Sequence, residues 1–167
     1  MASGDSPRVG DRAPEFSLPT ASGAMLSLAD FRGKKAVVLF FYPKDNSPAC
    51  TLEACSFRDS HEVLAKAGAE VIGVSANSAR SHEQFAGRLH LPFPLLSDAD
   101  GALRKLYGVP RTLGLFPGRV TYLIDKLGII RHIHSSQFLP MGHAGQMLAA
   151  LKAIQAEESF VPADTRD

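Results

Sequence analysis

Short apolar runs alternate with helical patterns along the middle of the chain, and this alternation constrains the fold more than any other feature. Residues 37–42, VVLFFY, have the composition of a buried strand. A helical pattern follows from about Pro48 to Ala67, where Gly68 is a typical helix end. A second buried strand is predicted at residues 70–76, EVIGVSA, so strand, helix and strand follow one another in an α/β order.

The rest of the chain extends this order. Ser78 is a good N-cap for a second helix over residues 78–90, which must stop before Pro92. We expect the remaining elements to be a strand at 94–97, a short helix at 100–107, a Gly/Pro-rich segment at 108–118, a hairpin of strands 119–125 and 128–135 across Lys126 and Leu127, and an amphipathic helix at 141–159.

These elements predict an α/β sandwich in which a mixed central sheet carries helices on both faces, an order typical of the thioredoxin-like fold. Residues 15–31 add an N-terminal β-hairpin extension. A chain of 167 residues fits one domain, and we interpret residues 1–167 as a single domain. Its core covers about residues 8–155 and its C-terminal tail residues 156–167.

Composition excludes several classes of partner. The net charge is +1, from 18 basic and 17 acidic side chains, so neither nucleic acid nor an anionic membrane is expected as a partner. The apolar runs are far shorter than the roughly 20 residues of a membrane span. The N-terminal residues lack the apolar core of a secretory signal, so we expect a cytoplasmic protein or, as the alternative, the mature form of a plastid protein.

The only two cysteines, Cys50 and Cys55, lie in the stretch PKDNSPACTLEAC. A domain of this size does not need a disulfide for stability, and in a reducing compartment a chemical role is favoured. Ser47 is a preferred N-cap and Pro48 suits the first helical position, so Cys50 is predicted to be the third residue of a helix. There the first-turn N–H groups and the helix dipole favour a thiolate, the nucleophilic form of cysteine.

A helix start is not sufficient to ionise a thiol fully. A thiol with an ordinary pKa of about 8.5 is only roughly 3% ionised at pH 7, whereas a pKa near 6 gives about 90%. That difference is about 3.4 kcal/mol, more than the ~2 kcal/mol upper end of a helix-terminus effect. A nearby cation is therefore needed. Arg119, at the start of RVTYLID, is the best candidate, and Arg111 is the competitor.

The spacing of the cysteines is too wide for a static disulfide. Five residues on an ideal helix separate the Cα atoms by roughly 8 to 9 Å and rotate them by about 140°. A disulfide tolerates no more than about 7 Å. If both cysteines lie in one helix, at least one turn must melt before they bond. The spacing suits a cysteine that reacts while folded and is captured by its partner after local unfolding.

These motifs resemble a known family. PKDNSPAC fits the peroxiredoxin signature PxxxS/TxxC, and with CTLEAC, RVTYLID, APEFSL and QFLP (137–140) the chain resembles the peroxiredoxin Q, or bacterioferritin comigratory protein, subfamily over about residues 8–155. The resemblance implies an antioxidant peroxidase of the atypical 2-Cys type, without metal or organic cofactor, that acts on hydrogen peroxide or alkyl hydroperoxides. It also implies thioredoxin or glutaredoxin as the reductant, and a monomer.

The resemblance also implies a role for each site residue. These roles are Cys50 as the peroxidatic cysteine, Cys55 as the resolving cysteine in an intramolecular disulfide, Ser47 as a contact that holds the peroxide, Pro43 as a shield over the site, and Arg119 as the group that stabilises the thiolate and the departing oxygen. The sequence departs from the subfamily pattern at two positions, with Ser47 where Thr is usual and Ala49 where Gly is usual. The first change keeps the hydroxyl, and the second bears on how easily the first turn opens.

Other interpretations of the cysteine pair remain open at this stage. Two inert, buried thiols are one, and a peroxide-sensing thiol switch or binding protein is another. The CxxC motif of disulfide reductases is absent. A zinc site completed by His132 and His134, which share one face of their strand, is the alternative from another class.

Several further residues receive weaker predictions. The other histidines have no partner visible in the sequence and are interpreted as surface residues; they are His61, His82, His90 and His143. Glu53 is interpreted as a helix residue that fits the dipole and as a second-tier site candidate, because a carboxylate near Cys50 would oppose thiolate formation. Core or pocket-wall positions are expected for the aromatic residues Phe41, Tyr42, Phe116 and Tyr122, and Phe41 is the candidate substrate contact among them.

Overall fold

The structure is a computed structural model that describes residues 6–109, 111–112, 116–117, 119–135 and 142–159. Its elements are, in chain order, β1 (Ser17–Pro19), β2 (Met25–Ser27), a 3-10 helix (Leu28–Phe31), β3 (Ala36–Phe41), α1 (Pro48–Lys66), β4 (Ala69–Ser75), α2 (Ala79–Leu89), β5 (Leu95–Ser97), α3 (Ala102–Leu106), β6 (Arg111–Thr112), β7 (Phe116–Pro117), β8 (Val120–Ile124), β9 (Ile130–Ser135) and α4 (Gly142–Ser159). The QFLP motif at 137–140 and the predicted tail beyond residue 159 lie outside the described residues.

The main sheet is mixed, as the sequence predicts. Its strand order is β5-β4-β3-β8-β9. β3 and β5 both pair with β4 in parallel, whereas β8 runs antiparallel to both β3 and β9. β1 and β2 form the predicted N-terminal hairpin as a separate antiparallel pair. The short strands β6 and β7 also pair with each other.

Successive residues of β3 alternate between two hydrophobic cores because side chains alternate across a sheet. On one face, Val38 and Phe40 join side chains from α1, α2 and α4. On the other face, Val37 and Leu39 join side chains from the N-terminal segment, the 3-10 helix and α3. The sheet therefore carries helices on both faces, and the thioredoxin-like fold predicted from the sequence is confirmed.

The ends of the helices agree closely with the predicted stop and start signals. The side chain of Ser47 accepts a hydrogen bond from the backbone of Cys50, and Ser78 caps α2 in the same way. Gly68 follows α1 with a φ of 87°, a left-handed conformation that glycine adopts without steric cost. The turn between β8 and β9 covers residues 125–129 and is longer than the two-residue turn that the sequence predicts. The Asp125 side chain stabilises it by accepting a hydrogen bond from the backbone N–H of Leu127.

Antiparallel pairing also decides what lies beside the start of α1. β3 ends at Phe41, which is paired with Val120, the first residue of β8. Arg119 immediately precedes this strand, while the chain leaving β3 reaches the start of α1 at Pro48. The topology thus brings Arg119 to the sheet edge where α1 begins, although 69 residues separate it from Cys50.

Candidate active site

Cys50 lies at the start of α1, where the sequence predicts it. It is the third helical residue, and only 1% of its surface is exposed. Its backbone N–H donates to Ser47 Oγ at 3.3 Å, and the same hydroxyl donates to the carbonyl of Lys44 at 3.2 Å. Ser47 therefore fixes the first turn while its oxygen stays close to the cysteine.

Arg119 is the cation that faces the sulfur. Its Nη2 lies 3.3 Å from Cys50 Sγ, and the arginine is itself only 3% exposed. Burial by itself lowers the pKa of the Arg119 guanidinium, but the nearby Glu53 and Cys50 outweigh burial and raise it above its ordinary value. The cation needed beside the cysteine is present, and Arg119 supplies it. The side chain of the competitor, Arg111, lies outside the described part of the structure.

Glu53 belongs to the same buried cluster, which corrects its interpretation as a helix residue that merely fits the dipole. It lies in the second turn of α1 and is fully buried. Arg119 Nη1 donates to Glu53 Oε1 at 2.5 Å. Burial raises the pKa of Glu53 to about 8, and the attraction of Arg119 offsets this only in part.

One guanidinium therefore serves two acidic groups, the Cys50 thiol and the Glu53 carboxyl. In a buried site the electrostatic interaction is stronger than in water, so the two acids compete for the same positive charge. A protonated Glu53 leaves more of that charge to a thiolate at Cys50, whereas an ionised Glu53 opposes the thiolate. An ionised Glu53 should therefore disfavour the Cys50 thiolate, as the sequence predicts for a nearby carboxylate, because both groups interact with Arg119.

His143 lies behind Glu53 and is fully buried, so its prediction as a surface residue is wrong. Its Nδ1 is 2.6 Å from Thr121 Oγ1 and 3.4 Å from Glu53 Oε2. The second contact is an ion-pair distance without hydrogen-bond alignment, and Glu53 Oε2 has no hydrogen-bond partner among the described residues. The ring of His134 packs edge-on against His143, with centroids 4.5 Å apart.

His82 is also fully buried, again contrary to the surface prediction. Its Nδ1 lies 2.8 Å from Asp45 Oδ2, in the connection that leads from β3 to α1. His61 is half-buried and lies 3.6 Å from Glu70, and of the four histidines predicted at the surface His90 is the one that is exposed. Two of the four surface predictions therefore fail, and both failures concern histidines paired with buried carboxylates.

Cys55 lies on the same unbroken helix as Cys50. Both cysteines are free thiols, with Cys50 buried and Cys55 partly exposed against the edge of the core. Because α1 runs continuously from Pro48 to Lys66, the geometric argument from the sequence applies to this structure. The two sulfurs can bond only after part of α1 unwinds.

The aromatic residues at the end of β3 face opposite sides of the sheet. Phe41 packs against Tyr107 and Tyr122 in the core on the face away from Cys50. Tyr42 packs in the same core as Cys50. This placement does not support Phe41 as a substrate contact, and it puts Tyr42 on the cysteine face instead. Pro43, the next residue, is half-buried in the connection to α1.

Neither a metal site nor a membrane span emerges from the described residues. No group of three or more His, Cys, Asp or Glu side chains within them is arranged to hold a metal ion, so the zinc alternative finds no support there. No helix in the described part of the chain is long and apolar enough to cross a membrane.

A buried cysteine at a helix start, faced by a buried arginine on a thioredoxin-like fold, is an arrangement that favours a thiolate. The model of the AhpC/TSA family matches residues 9–133. The chain therefore belongs to the AhpC/TSA family, and its similarity to proteins named peroxiredoxin Q places it among the peroxiredoxins, which are thiol-dependent peroxidases.

Individual relatives agree with this assignment. Peroxiredoxin Q, chloroplastic, from Oryza sativa subsp. japonica is 47% identical over 146 residues, which cover 87% of this chain and 67% of the rice protein. The crystal structure of peroxidoxin BcpB from Mycobacterium tuberculosis has 36% identity and a TM-score of 0.82, covering 89% of this chain and 98% of that one. The Xanthomonas campestris bacterioferritin comigratory protein, in a structure whose title concerns alkyl peroxide reduction activity, has 32% identity and a TM-score of 0.76, covering 83% and 91%.

The burial of three polar residues of the site region was not recognised from the sequence, although each carries a detectable signal. Glu53 follows Cys50 by three residues and so lies on the same face of a helix. His82 precedes Phe85 and Leu89 at helical spacing, which puts it on the apolar stripe of α2. His143 is spaced in the same way from the buried Met147 and Leu151 of α4. A fourth buried polar residue, Asp45, lies in a loop, where no periodic pattern indicates burial.

Proposed function

We propose that this protein reduces peroxides with Cys50 as the peroxidatic cysteine and Cys55 as the resolving cysteine. The observation that carries the proposal is the 3.3 Å contact between Arg119 Nη2 and Cys50 Sγ at the start of a helix. The helix start and the guanidinium both stabilise negative charge on the sulfur. A buried thiolate held in this way is poised to attack an electrophilic oxygen.

In the first step the Cys50 thiolate attacks the terminal oxygen of ROOH and the O–O bond breaks. The sulfur is oxidised to sulfenic acid, Cys50–SOH, and RO⁻ takes up a proton and leaves as water or an alcohol. Arg119 stabilises the negative charge as it moves from sulfur to the departing oxygen. Ser47, whose hydroxyl lies at the helix start, holds the peroxide, and Pro43 shields the site from water.

In the second step the first turn of α1 unwinds and Cys55 condenses with the sulfenic acid. An S–S bond forms between the two sulfurs, and the oxygen leaves as water with the proton of the Cys55 thiol. The half-exposed residues before Cys50 favour opening at this end of the helix. Resolution within one chain also makes a monomer sufficient for the reaction.

In the third step a dithiol protein of the thioredoxin or glutaredoxin type reduces the disulfide by thiol–disulfide exchange and is itself oxidised. Hydrogen peroxide and organic hydroperoxides are the proposed substrates, and no organic cofactor takes part. For the compartment, the chloroplastic name of the rice relative agrees with the plastid alternative and does not support the cytoplasmic prediction.

The test is turnover. The wild-type protein, with excess thioredoxin, its reductase and NADPH, should consume many equivalents of hydrogen peroxide. Cys50→Ser should consume none, while retaining the fold because serine is nearly isosteric. Oxidation by a single equivalent followed by no further consumption with any dithiol donor would point to a switch and contradict the proposal.

A further inference from the structure

A second buried polar cluster, centred on Asp45, lies beside the start of α1. Only 2% of Asp45 is exposed, and its carboxylate is close to three side chains. The Tyr42 hydroxyl donates to Oδ1 at 2.6 Å, the Ser81 hydroxyl donates to Oδ2 at 2.8 Å, and His82 Nδ1 lies 2.8 Å from Oδ2. The backbone N–H of Asp45 donates to Asn77 Oδ1 at 2.9 Å. Asp45 is therefore fixed through both its side chain and its backbone.

The ring of His82 is held through both of its nitrogens. The other ring nitrogen, Nε2, lies 3.0 Å from the carbonyl oxygen of Leu96, and a carbonyl only accepts hydrogen bonds. Nε2 therefore donates to this carbonyl, and Nδ1 faces the Asp45 carboxyl. Burial alone would raise the pKa of Asp45, but hydrogen bonds from His82 and Tyr42 outweigh it and hold that pKa below its ordinary value. Asp45 and His82 thus form a buried hydrogen-bonded pair.

The pair connects the active-site loop to parts of the fold that take no part in the unwinding of α1. Asp45 lies in the connection between β3 and α1, two residues before the N-cap Ser47. His82 belongs to α2, and its other partner, Leu96, belongs to β5. The anchor point therefore stays in place whether the first turn of α1 is wound or unwound.

Beyond the anchor, the hydrogen bonds that hold the chain are mainly exposed, including the one from Ser47 to Lys44. Asn46 has a φ of 68°, an unfavourable left-handed conformation for a residue other than glycine, and accepts a hydrogen bond from Arg88. Pro48 has no N–H to donate. The first backbone hydrogen bond of α1 runs from Thr51 N–H to the carbonyl of Ser47, at 2.9 Å. A short, exposed segment thus separates a rigid anchor from the reactive cysteine.

We propose that the Asp45–His82 pair positions the start of α1 and sets the N-terminal limit of the segment that unwinds when Cys50 bonds to Cys55. This inference rests on the proposed function. With the pair intact, unwinding frees only the residues that follow Asp45. Without it, the whole connection from Pro43 gains freedom, and because a longer free segment has more conformational entropy, the unwound state becomes more populated.

The proposal predicts how oxidised Cys50 divides between two products, a disulfide and a sulfinic acid. Once oxidised, Cys50–SOH either condenses with Cys55 in the unwound state or reacts with a second peroxide in the wound state, which converts it to sulfinic acid and releases water or an alcohol. Loss of the anchor favours the unwound state. It should therefore slow the first oxidation and protect Cys50 from sulfinic acid formation at the same time.

The experiment compares wild-type protein with His82→Gln and Tyr42→Phe. Tyr42→Phe keeps the aromatic ring in the core and removes only the hydroxyl, which donates to Asp45 and lies 3.3 Å from His82 Nδ1, so it preserves the fold if His82→Gln does not. The matched control is His61→Gln. His61 lies in the C-terminal half of α1 and faces the carboxylate of Glu70. After a pulse of hydrogen peroxide, intact-protein mass gives the ratio of disulfide to sulfinic acid, and amide exchange of Thr51 reports unwinding.

We expect the ratio of disulfide to sulfinic acid to rise roughly three- to tenfold in His82→Gln, with a smaller rise in Tyr42→Phe and none in His61→Gln. Thr51 exchange should accelerate in the same order. An unchanged ratio and unchanged exchange, in a variant whose overall stability falls, would overturn the proposal and leave the pair a purely structural role. If wild-type protein formed neither disulfide nor sulfinic acid, the proposed function would fail instead, so the two failures are distinguishable.

Discussion

Arg119 Nη2 lies 3.3 Å from Cys50 Sγ, and both side chains are almost completely buried. The same guanidinium donates to Glu53 at 2.5 Å, so a single cation balances two acids inside the fold. The proposed reactivity of Cys50 therefore depends on how Arg119 is shared. This relationship yields separate expectations for Arg119 and for Glu53.

Replacement of Arg119 should make Cys50 less reactive at neutral pH. In Arg119→Ala, the pH at which Cys50 is alkylated by iodoacetamide should rise, and the rate of oxidation by peroxide should fall by at least roughly tenfold, because a stabilising charge beside the thiolate is lost. Arg119→Lys keeps a positive charge without the planar guanidinium. Its oxidation rate should lie between those of the wild type and Arg119→Ala. An unchanged alkylation profile in Arg119→Ala would transfer the role to Arg111 or to the helix alone.

Glu53 should make stability decrease as pH rises. Its pKa is raised to about 8 by burial, from 4.5. A group whose folded-state pKa is raised contributes stability that is fully present below the unfolded-state pKa and is lost as pH rises through the folded one. Glutamine at position 53 mimics the protonated carboxyl and does not titrate. The free energy of unfolding of Glu53→Gln, minus that of the wild type, should therefore increase between about pH 5 and pH 8, by at most about 1.4 kcal/mol per pH unit.

Urea denaturation at several pH values measures this difference, and groups common to both proteins cancel. A difference that stays constant across the range would mean that Arg119 keeps Glu53 ionised throughout.

Removal of Cys55 should separate oxidation from resolution. Cys55→Ser retains Arg119 and the helix start, so Cys50 should still be oxidised by peroxide at close to the wild-type rate. Without a resolving thiol, the sulfenic acid should persist or proceed to sulfinic acid, and donor-driven turnover should be lost. Mass spectrometry of the treated variant tests this, and normal turnover would sink the assignment of Cys55.

Ser47 has two roles that substitution can separate. Ser47→Ala removes the N-cap and should destabilise the protein by about 1 kcal/mol, besides lowering the peroxide reaction rate. Ser47→Thr keeps the hydroxyl and should behave nearly as the wild type in both assays. Urea denaturation gives the first effect and stopped-flow oxidation the second. If Ser47→Ala lost stability but oxidised at the full rate, the hydroxyl would be a cap without a part in holding peroxide.

The sequence predicts the fold and the start of α1 well because the signals are local. Buried strands, helix periodicity and the Ser-Pro start of α1 each appear within one short stretch, and antiparallel strands then bring Arg119 to Cys50. For the buried polar clusters, local spacing indicates which residues lie on the buried face but not what they contact. Glu53 lies beside an arginine 66 residues away, and His82 beside a carboxylate 37 residues away. Only the fold brings these partners together.

The placement of Phe41 has a different physical cause. In a strand, a shift of one residue moves a side chain to the opposite face of the sheet. The run VVLFFY is apolar at every position because β3 is covered on both faces, so it gives no indication of which face carries the cysteine helix. Phe41 and Tyr42 are adjacent in the sequence but contribute to different cores.

The central claim is that peroxide joins Cys50 to Cys55 through a local opening of α1. The most direct test is the intact-protein mass, under denaturing conditions, of fully reduced protein after one equivalent of hydrogen peroxide. We expect a prompt loss of about two mass units, the two hydrogens of a new disulfide, and no such loss in either Cys50→Ser or Cys55→Ser. An unchanged mass in the wild-type protein would contradict it.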